Sequence, residues 1–354
     1  MDKAIFVRVL LATALCLIVG LAFGNAAIGW LRRRFREPIK SISPTVVRMH
    51  LHKQQTPTMG GIFLLAGVLI GTLLFADLHH TDVRVCVLAA IAFASVGAVD
   101  DLVKLRTTRK GISARLKLTG QLAAAIPCAI LLESSHGGGL WGIGASVLVM
   151  MIGANAVNVT DGLDGLAAGC GAITAAAMTM MLLCSAHNEI SVVSGALTGT
   201  LLAFLKFNRH PARVFMGDTG SQMLGALLAV CTLAGGSLMA FAIYSGIFLV
   251  ELGSVVLQLA SYRIRGRRVF LCAPIHHHYQ FAGWSEPRIV RRFWFSAAVF
   301  AVAGLAVSEV EARIKRTDGP TGENLAAVSR VEMNSVAAPG AIEIASAIGN
   351  PSKP

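Results

Sequence analysis

The chain has 354 residues, 55% of them hydrophobic and only 14% charged, with a mean hydropathy of +0.66. A water-soluble domain of this size needs a polar surface that such a composition does not supply, which excludes the soluble globular class. The net charge of +12 fits the cytoplasmic loops of a membrane protein facing anionic headgroups, and we expect no nucleic-acid partner.

Apolar blocks of about 20 residues cross a bilayer as helices. They predict ten spans, at 4–31, 58–77, 83–103, 114–133, 142–160, 164–185, 191–207, 219–236, 238–262 and 291–311. The first block is too long for the apolar part of a signal peptide, and Arg32, Arg33 and Arg34 follow it as a stop-transfer cluster. The seven cysteines form no CxxC and lie mostly inside apolar runs, so they read as small core residues. Loops rich in Lys and Arg alternate with short loops that offer only Arg84. The positive-inside rule makes the basic set cytoplasmic and puts both termini on the outer, periplasmic side. The expected fold class is therefore an all-α polytopic membrane protein. A ten-span domain fills 1–313, and 314–354, rich in Ala, Ser, Gly, Pro and Glu and without an aromatic residue, reads as a disordered polar tail.

The unusual polar segments all fall on the cytoplasmic side of this topology. They are HLHKQQTPTMGG before span two, GAVDDLVK ending span three, RLKLTGQ opening span four and NAVNVTDGLDG after span five. KFNRHPARVFMGDTGS follows span seven, and APIHHHYQFAGWSEPR lies between spans nine and ten. Each alone has an ordinary explanation: a solvated helix end for an Asp, a snorkelling side chain for Lys117, a turn for Asp-Gly. Six such segments on one face, with none comparable on the other, point instead to a site, because ionisable groups at a membrane span are costly to keep. Carboxylates beside glycines suit Mg²⁺, which takes oxygen ligands and shares them with substrate phosphates. Asp100 and Lys104 share a helix face, and neighbouring Lys and His side chains can neutralise a diphosphate. No GxxxxGK[ST] loop and no HExxH is present, which argues against a P-loop NTPase and a zinc protease. The residues alone lead to a cytoplasmic-face cleft for Mg²⁺-using phosphoryl chemistry.

TPTMGG (56–61), VDDLVK (99–104), NAVNVTDGLDGLAAG (155–169), FNRHPARVFMGDTGS (207–221) and APIHHHYQFAGWSEPR (273–288) occur in this order. Together they resemble the phospho-N-acetylmuramoyl-pentapeptide-transferase family of the polyprenyl-phosphate N-acetylhexosamine-1-phosphate transferase superfamily. The aspartate motifs are shared across the superfamily, and the triple-histidine segment points to the muramoyl-pentapeptide branch. The resemblance implies an Mg²⁺-dependent transferase of the bacterial inner membrane, multi-pass and homodimeric, with its active site facing the cytoplasm. Its substrates would be UDP-N-acetylmuramoyl-pentapeptide and undecaprenyl phosphate, and its products lipid I and UMP, in peptidoglycan and cell-wall synthesis.

By motif position the resemblance assigns Asp100, Asp101 and Asp218 to catalysis, with Asp218 as the metal ligand and Asp100 handling the lipid-phosphate proton. Lys117 would hold the diphosphate, and Asn158, Asp161, Asn208 and His277 would line the cleft. Lys53, Asp164 and Phe215 would hold the uridine. Thr58, Lys104, His276 and His278 join the substrate-binding set. Gln55 stands where the family has glycine. Two other readings compete: a sister transferase moving N-acetylglucosamine-1-phosphate to the same lipid, and an ion-coupled secondary transporter. The histidine segment argues against the first. Against the second, the carboxylates sit at span ends and no internal repeat is visible.

Overall fold

A computed structural model describes residues 3–35, 56–235 and 238–318, and every structural statement below concerns these. Among them every regular element is an α-helix. In chain order they are α1 (Lys3–Arg34), α2 (Gly61–Phe75), α3 (Thr81–Arg106), α4 (Ala114–His136), α5 (Gly139–Thr160) and α6 (Leu166–Cys184). Then follow α7 (Asn188–Asn208), α8 (Gly217–Ala234), α9 (Leu238–Tyr244), α10 (Gly246–Arg265), α11 (Ile275–Phe281) and α12 (Glu286–Asp318). Eight of them are long and apolar enough to cross a membrane. Large apolar side chains such as Leu10, Phe23 and Leu74 stay exposed on the bundle's outside, as a hydrocarbon solvent allows.

Two of the expected spans, the second and the ninth, take another form. Span two is a shorter helix, α2, of 15 residues. Span eight is α8, 18 residues long, and it is the centre of the bundle: sixteen of those residues are buried. Span nine is not one helix. The chain breaks at Ser245 between α9 and α10, and Gly246 there lies so close to Phe300 that a Cβ would stand 2.4 Å from its ring. The last helix runs to Asp318, five residues beyond the expected domain boundary at 313. The described residues up to Ala306 form one compact unit, and a second begins at Val307, of which the described part is the end of α12. The remainder of the expected tail, 319–354, lies outside the described residues.

Small residues let α8 sit in the middle. It packs mainly on α3 and α5, while α7 packs on α1 and α6. A Cβ on Gly97 of α3 would stand 2.1 Å from the Asp218 carbonyl oxygen, and one on Gly153 of α5 would stand 2.5 Å from that of Gly225. Membrane helices gain packing through such close approach, since lipid gives them no hydrophobic drive to associate. At one end of the bundle Arg8 of α1 donates from Nε to Phe75 O at 2.8 Å and from Nη1 to Glu189 at 2.8 Å. At the other end lie the C-termini of α3 and α5 and the N-termini of α4 and α8, and there the polar segments converge. The cysteines are all free, five of them buried, as expected of core residues.

Candidate active site

The site is built on the N-terminus of α8. Gly217 turns the chain into the helix with φ +73°, a conformation that suits glycine. A Cβ there would also stand 2.7 Å from Asp101 Oδ2 and 3.1 Å from Thr58 Oγ1. Asp101 receives the helix start. Its oxygens accept from Asp218 N at 3.0 Å, Thr219 N at 2.9 Å and Thr219 Oγ1 at 2.7 Å. A carboxylate at this position satisfies orphan backbone N–H groups and complements the helix dipole. Asp101 therefore anchors α8 to α3, and Thr58 packs beside the same turn.

That anchorage fixes Asp218. Its Oδ1 accepts from Lys104 Nζ at 2.7 Å and its Oδ2 from Lys117 Nζ. Lys104 also reaches Asp100 Oδ2 at 2.7 Å, one helical turn back on α3. Asp100 uses its other oxygen to accept from Ile112 N at 2.7 Å, which ties down the 107–113 connection. Lys117 donates to Asn158 Oδ1 at 2.8 Å, and Asn158 donates to Ser221 Oγ at 2.9 Å. Four helices thus present one charged cluster. Beneath it Gln121 bonds Asn155 at 2.8 Å and Gln222 at 3.1 Å, a polar layer that holds α4, α5 and α8 in register.

Asp161 follows α5 and faces this cluster. Burial, together with the charges of Asp218 and Asp101, pushes its carboxyl up to about 8. Among the described residues its carboxyl has no hydrogen-bond partner. An accumulation of negative charge with an unpaired carboxyl beside it fits a hard divalent cation, whose preferred ligands are carboxylate oxygens. The donors present therefore suit Mg²⁺.

A second wall comes from the 162–166 turn. Asp164 is buried and its Oδ2 accepts from Ala212 N at 3.0 Å, with His210 Nδ1 at 3.1 Å. His210 lies in turn 3.5 Å from Glu286 at the start of α12. Asn208 accepts from Gly165 N at 3.1 Å and donates to Val214 O at 2.9 Å, so it braces the turn against the 209–216 loop. Phe215 sits in that loop. Its backbone pairs with the TPTMGG segment, N to Pro57 O at 2.8 Å and O from Gly60 N at 2.9 Å. Lys53 lies outside the described residues.

The histidines form α11, and only His276 is fully buried. Its backbone N–H donates to Glu251 Oε1 and its Nδ1 lies against Glu251 Oε2, both at 3.1 Å. The carboxylate on Nδ1 fixes the orientation of the ring and of its Nε2. That Nε2 has no partner and abuts Gly162, where a Cβ would stand 2.3 Å away. His277 pairs with Gln280 at 2.7 Å, and His278 accepts from Leu271 N at 3.2 Å. Glu251, His210 and Glu286 are site residues that sequence reasoning passed over. For Glu251 a signal existed: it is the one carboxylate inside an otherwise apolar span, in LVELGS.

A helical membrane body that brings aspartates and lysines from three helices, and an asparagine from a fourth, to one end is the build of an integral-membrane phosphotransferase. Residues 83–236, which carry most of the cluster, match the family described as Glycosyl transferase family 4. The chain is 40% identical over 331 residues to a protein of Desulforudis audaxviator (strain MP104C), covering 85% of this chain and 98% of that one. It is 39% identical over 319 residues to one of Pelotomaculum thermopropionicum, covering 83% and 96%. With one of Koribacter versatilis (strain Ellin345) it shares 35% over 349 residues, covering 84% and 91%. All three are named phospho-N-acetylmuramoyl-pentapeptide-transferase. The chain belongs to the phospho-N-acetylmuramoyl-pentapeptide-transferase family.

Proposed function

We propose that the protein transfers phospho-N-acetylmuramoyl-pentapeptide from its UDP derivative to undecaprenyl phosphate, giving lipid I and UMP, the first membrane step of peptidoglycan synthesis. The observation that carries this reading is Asp218, held at the start of α8 between Lys104 and Lys117 with Asp100 alongside. An acceptor phosphate oxygen attacks the β-phosphorus, the bond from that phosphorus to the oxygen bridging the α-phosphate breaks, and UMP leaves with that oxygen. Such transfers depend chiefly on positioning and charge neutralisation. Lys104 and Lys117 supply positive charge for the diphosphate. Asp100 orients the acceptor phosphate and takes its proton. Asp218 would hold Mg²⁺, which supplies further charge neutralisation on the diphosphate. The 162–166 turn, with Asp164, Asn208 and Phe215, forms the nucleotide side, and His276 presents Nε2 towards it.

The site faces the cytoplasm of the inner membrane in this reading, because the Lys- and Arg-rich loops share its end of the bundle. Both termini then lie outside, 319–354 is a dispensable polar tail, and the active form is a homodimer. UMP release from UDP-N-acetylmuramoyl-pentapeptide tests the reaction. We expect release that requires both undecaprenyl phosphate and Mg²⁺, and none from UDP-N-acetylglucosamine. Equal release from the latter contradicts the assignment, and a stoichiometric burst without the lipid contradicts direct attack.

A further inference from the structure

An apolar groove lies on the far side of α2 from the carboxylate cluster, between α1, α2 and α7. Its volume is about 330 Å³, and Phe23, Phe63, Ala66, Phe204 and Phe207 are among its walls. Its polar side chains are already engaged: Thr200 donates to Ala196 O at 2.7 Å and Cys16 to Gly67 O at 3.3 Å. The groove offers water no partner, and it opens along span surfaces that a bilayer would bathe in hydrocarbon.

One end of the groove is basic. Phe207 lines it, and the Arg213 guanidinium lies over that ring, 5.5 Å from its centroid. Arg213 also donates to Asn25 at 2.9 Å, next to groove-lining Gly24, so it bridges α1 and the end of α7 at the groove's mouth. Arg32, Arg33 and Arg34 end α1 on the same side. An apolar slot closed by a cation matches a lipid tail with an anionic head, the pattern by which basic pockets between spans bind phospholipids.

We propose that this groove seats an acyl chain of an anionic bilayer phospholipid, with its phosphate at Arg213. The acceptor substrate is a poorer match. Gly61 and Leu64 of α2 close against Gly220 of α8, where a Cβ on Gly61 would stand 2.1 Å from Gly220 N. The backbone pairing of Gly60 and Gly61 with Phe215 and Met216, at 2.9 and 2.8 Å, extends that wall. A phosphate at Arg213 therefore stands behind packed backbone, away from Asp100 and Asp218.

The test is native mass spectrometry of the full-length, delipidated protein with palmitoyl-oleoyl phosphatidylglycerol or the matching phosphatidylcholine. Wild type should retain one phosphatidylglycerol about fivefold better than phosphatidylcholine, the weight of roughly one basic side chain at a membrane surface. Arg213→Gln should lose the preference and keep the phosphatidylcholine level, and Arg213→Lys should restore it. Ala66→Trp, which fills the groove from its open side, should lose retention of both lipids while circular dichroism stays unchanged. If Ala66→Trp does not fold, the Arg213 pair decides alone. An unchanged preference in Arg213→Gln, or unchanged retention in folded Ala66→Trp, overturns the proposal. So does undecaprenyl phosphate displacing phosphatidylglycerol at equal concentration without being displaced in return, which would give the groove to the acceptor substrate.

Discussion

Lys117 shows most clearly how one residue separates the catalytic reading from an ordinary one. A snorkelling lysine would end in water, whereas this one is locked between Asp218 and Asn158. Lys117→Ala should lower kcat/KM by about 2–4 kcal/mol in transition-state terms, because the diphosphate loses a charge partner. A loss below about 1 kcal/mol would return it to the snorkelling class. Asp161 gives a prediction of a different kind. Its carboxyl is raised to about 8, so the fold binds that proton more tightly than the unfolded chain does. The contribution is full below about pH 4 and is lost as pH rises towards the folded value. Asp161→Asn cannot ionise. In Mg²⁺-free buffer its melting temperature relative to wild type should therefore climb between about pH 5 and about pH 8, while its turnover falls. A difference that stays flat with pH contradicts the assignment. The aspartates and Lys117 were legible because charge at the end of an apolar span is conspicuous. The partition between them was not, since only the backbone geometry at Gly217 shows that Asp101 is committed to Thr219 and Asp218 N–H groups.

Among the elements, α8 decides the geometry, because the same helix start that presents Asp218 is clamped by α3. Gly97 is the contact point, with the Asp218 carbonyl 2.1 Å from where its Cβ would lie. Gly97→Ala forces the two backbones apart. We expect at least a tenfold loss of kcat, about 1.4 kcal/mol, with a lower melting temperature and a smaller change in KM. Activity and melting temperature both at wild-type level would show that the α3–α8 spacing is not needed. Helix existence was readable from hydropathy at nearly every position. The breaks were not: LMAFAIYSGIFLV is apolar but for Ser245 and Gly246, and the chain parts there because Gly246 lies against the Phe300 ring. The late start of α2 was hidden likewise: Met59 takes φ +63°, and Gly60 and Gly61 N–H groups donate to Phe215 and Met216 carbonyls, none of which hydropathy reports.

At the scale of the molecule, the polar segments that lie far apart in the chain meet at one end because the helices alternate in direction. Sequence alone supplied that convergence through the distribution of Lys and Arg. It did not supply the second wall, where His210 and Glu286 join Asp164 across the 162–166 turn, since nothing in the spacing of three distant residues fixes their meeting. In the proposed reaction the α3–α4–α5–α8 cluster is the reaction centre, and its negative charge is what the chemistry uses. Turnover of purified Asp218→Asn at saturating Mg²⁺ tests this most directly. Asn keeps the shape and still serves at a helix start, so folding and detergent-solubilised yield should be unchanged. Turnover should fall at least roughly thousandfold, on the order of 4 kcal/mol, with little rescue by excess Mg²⁺. A mutant that keeps more than about a tenth of wild-type turnover, a loss of under about 1.4 kcal/mol, would contradict that reading.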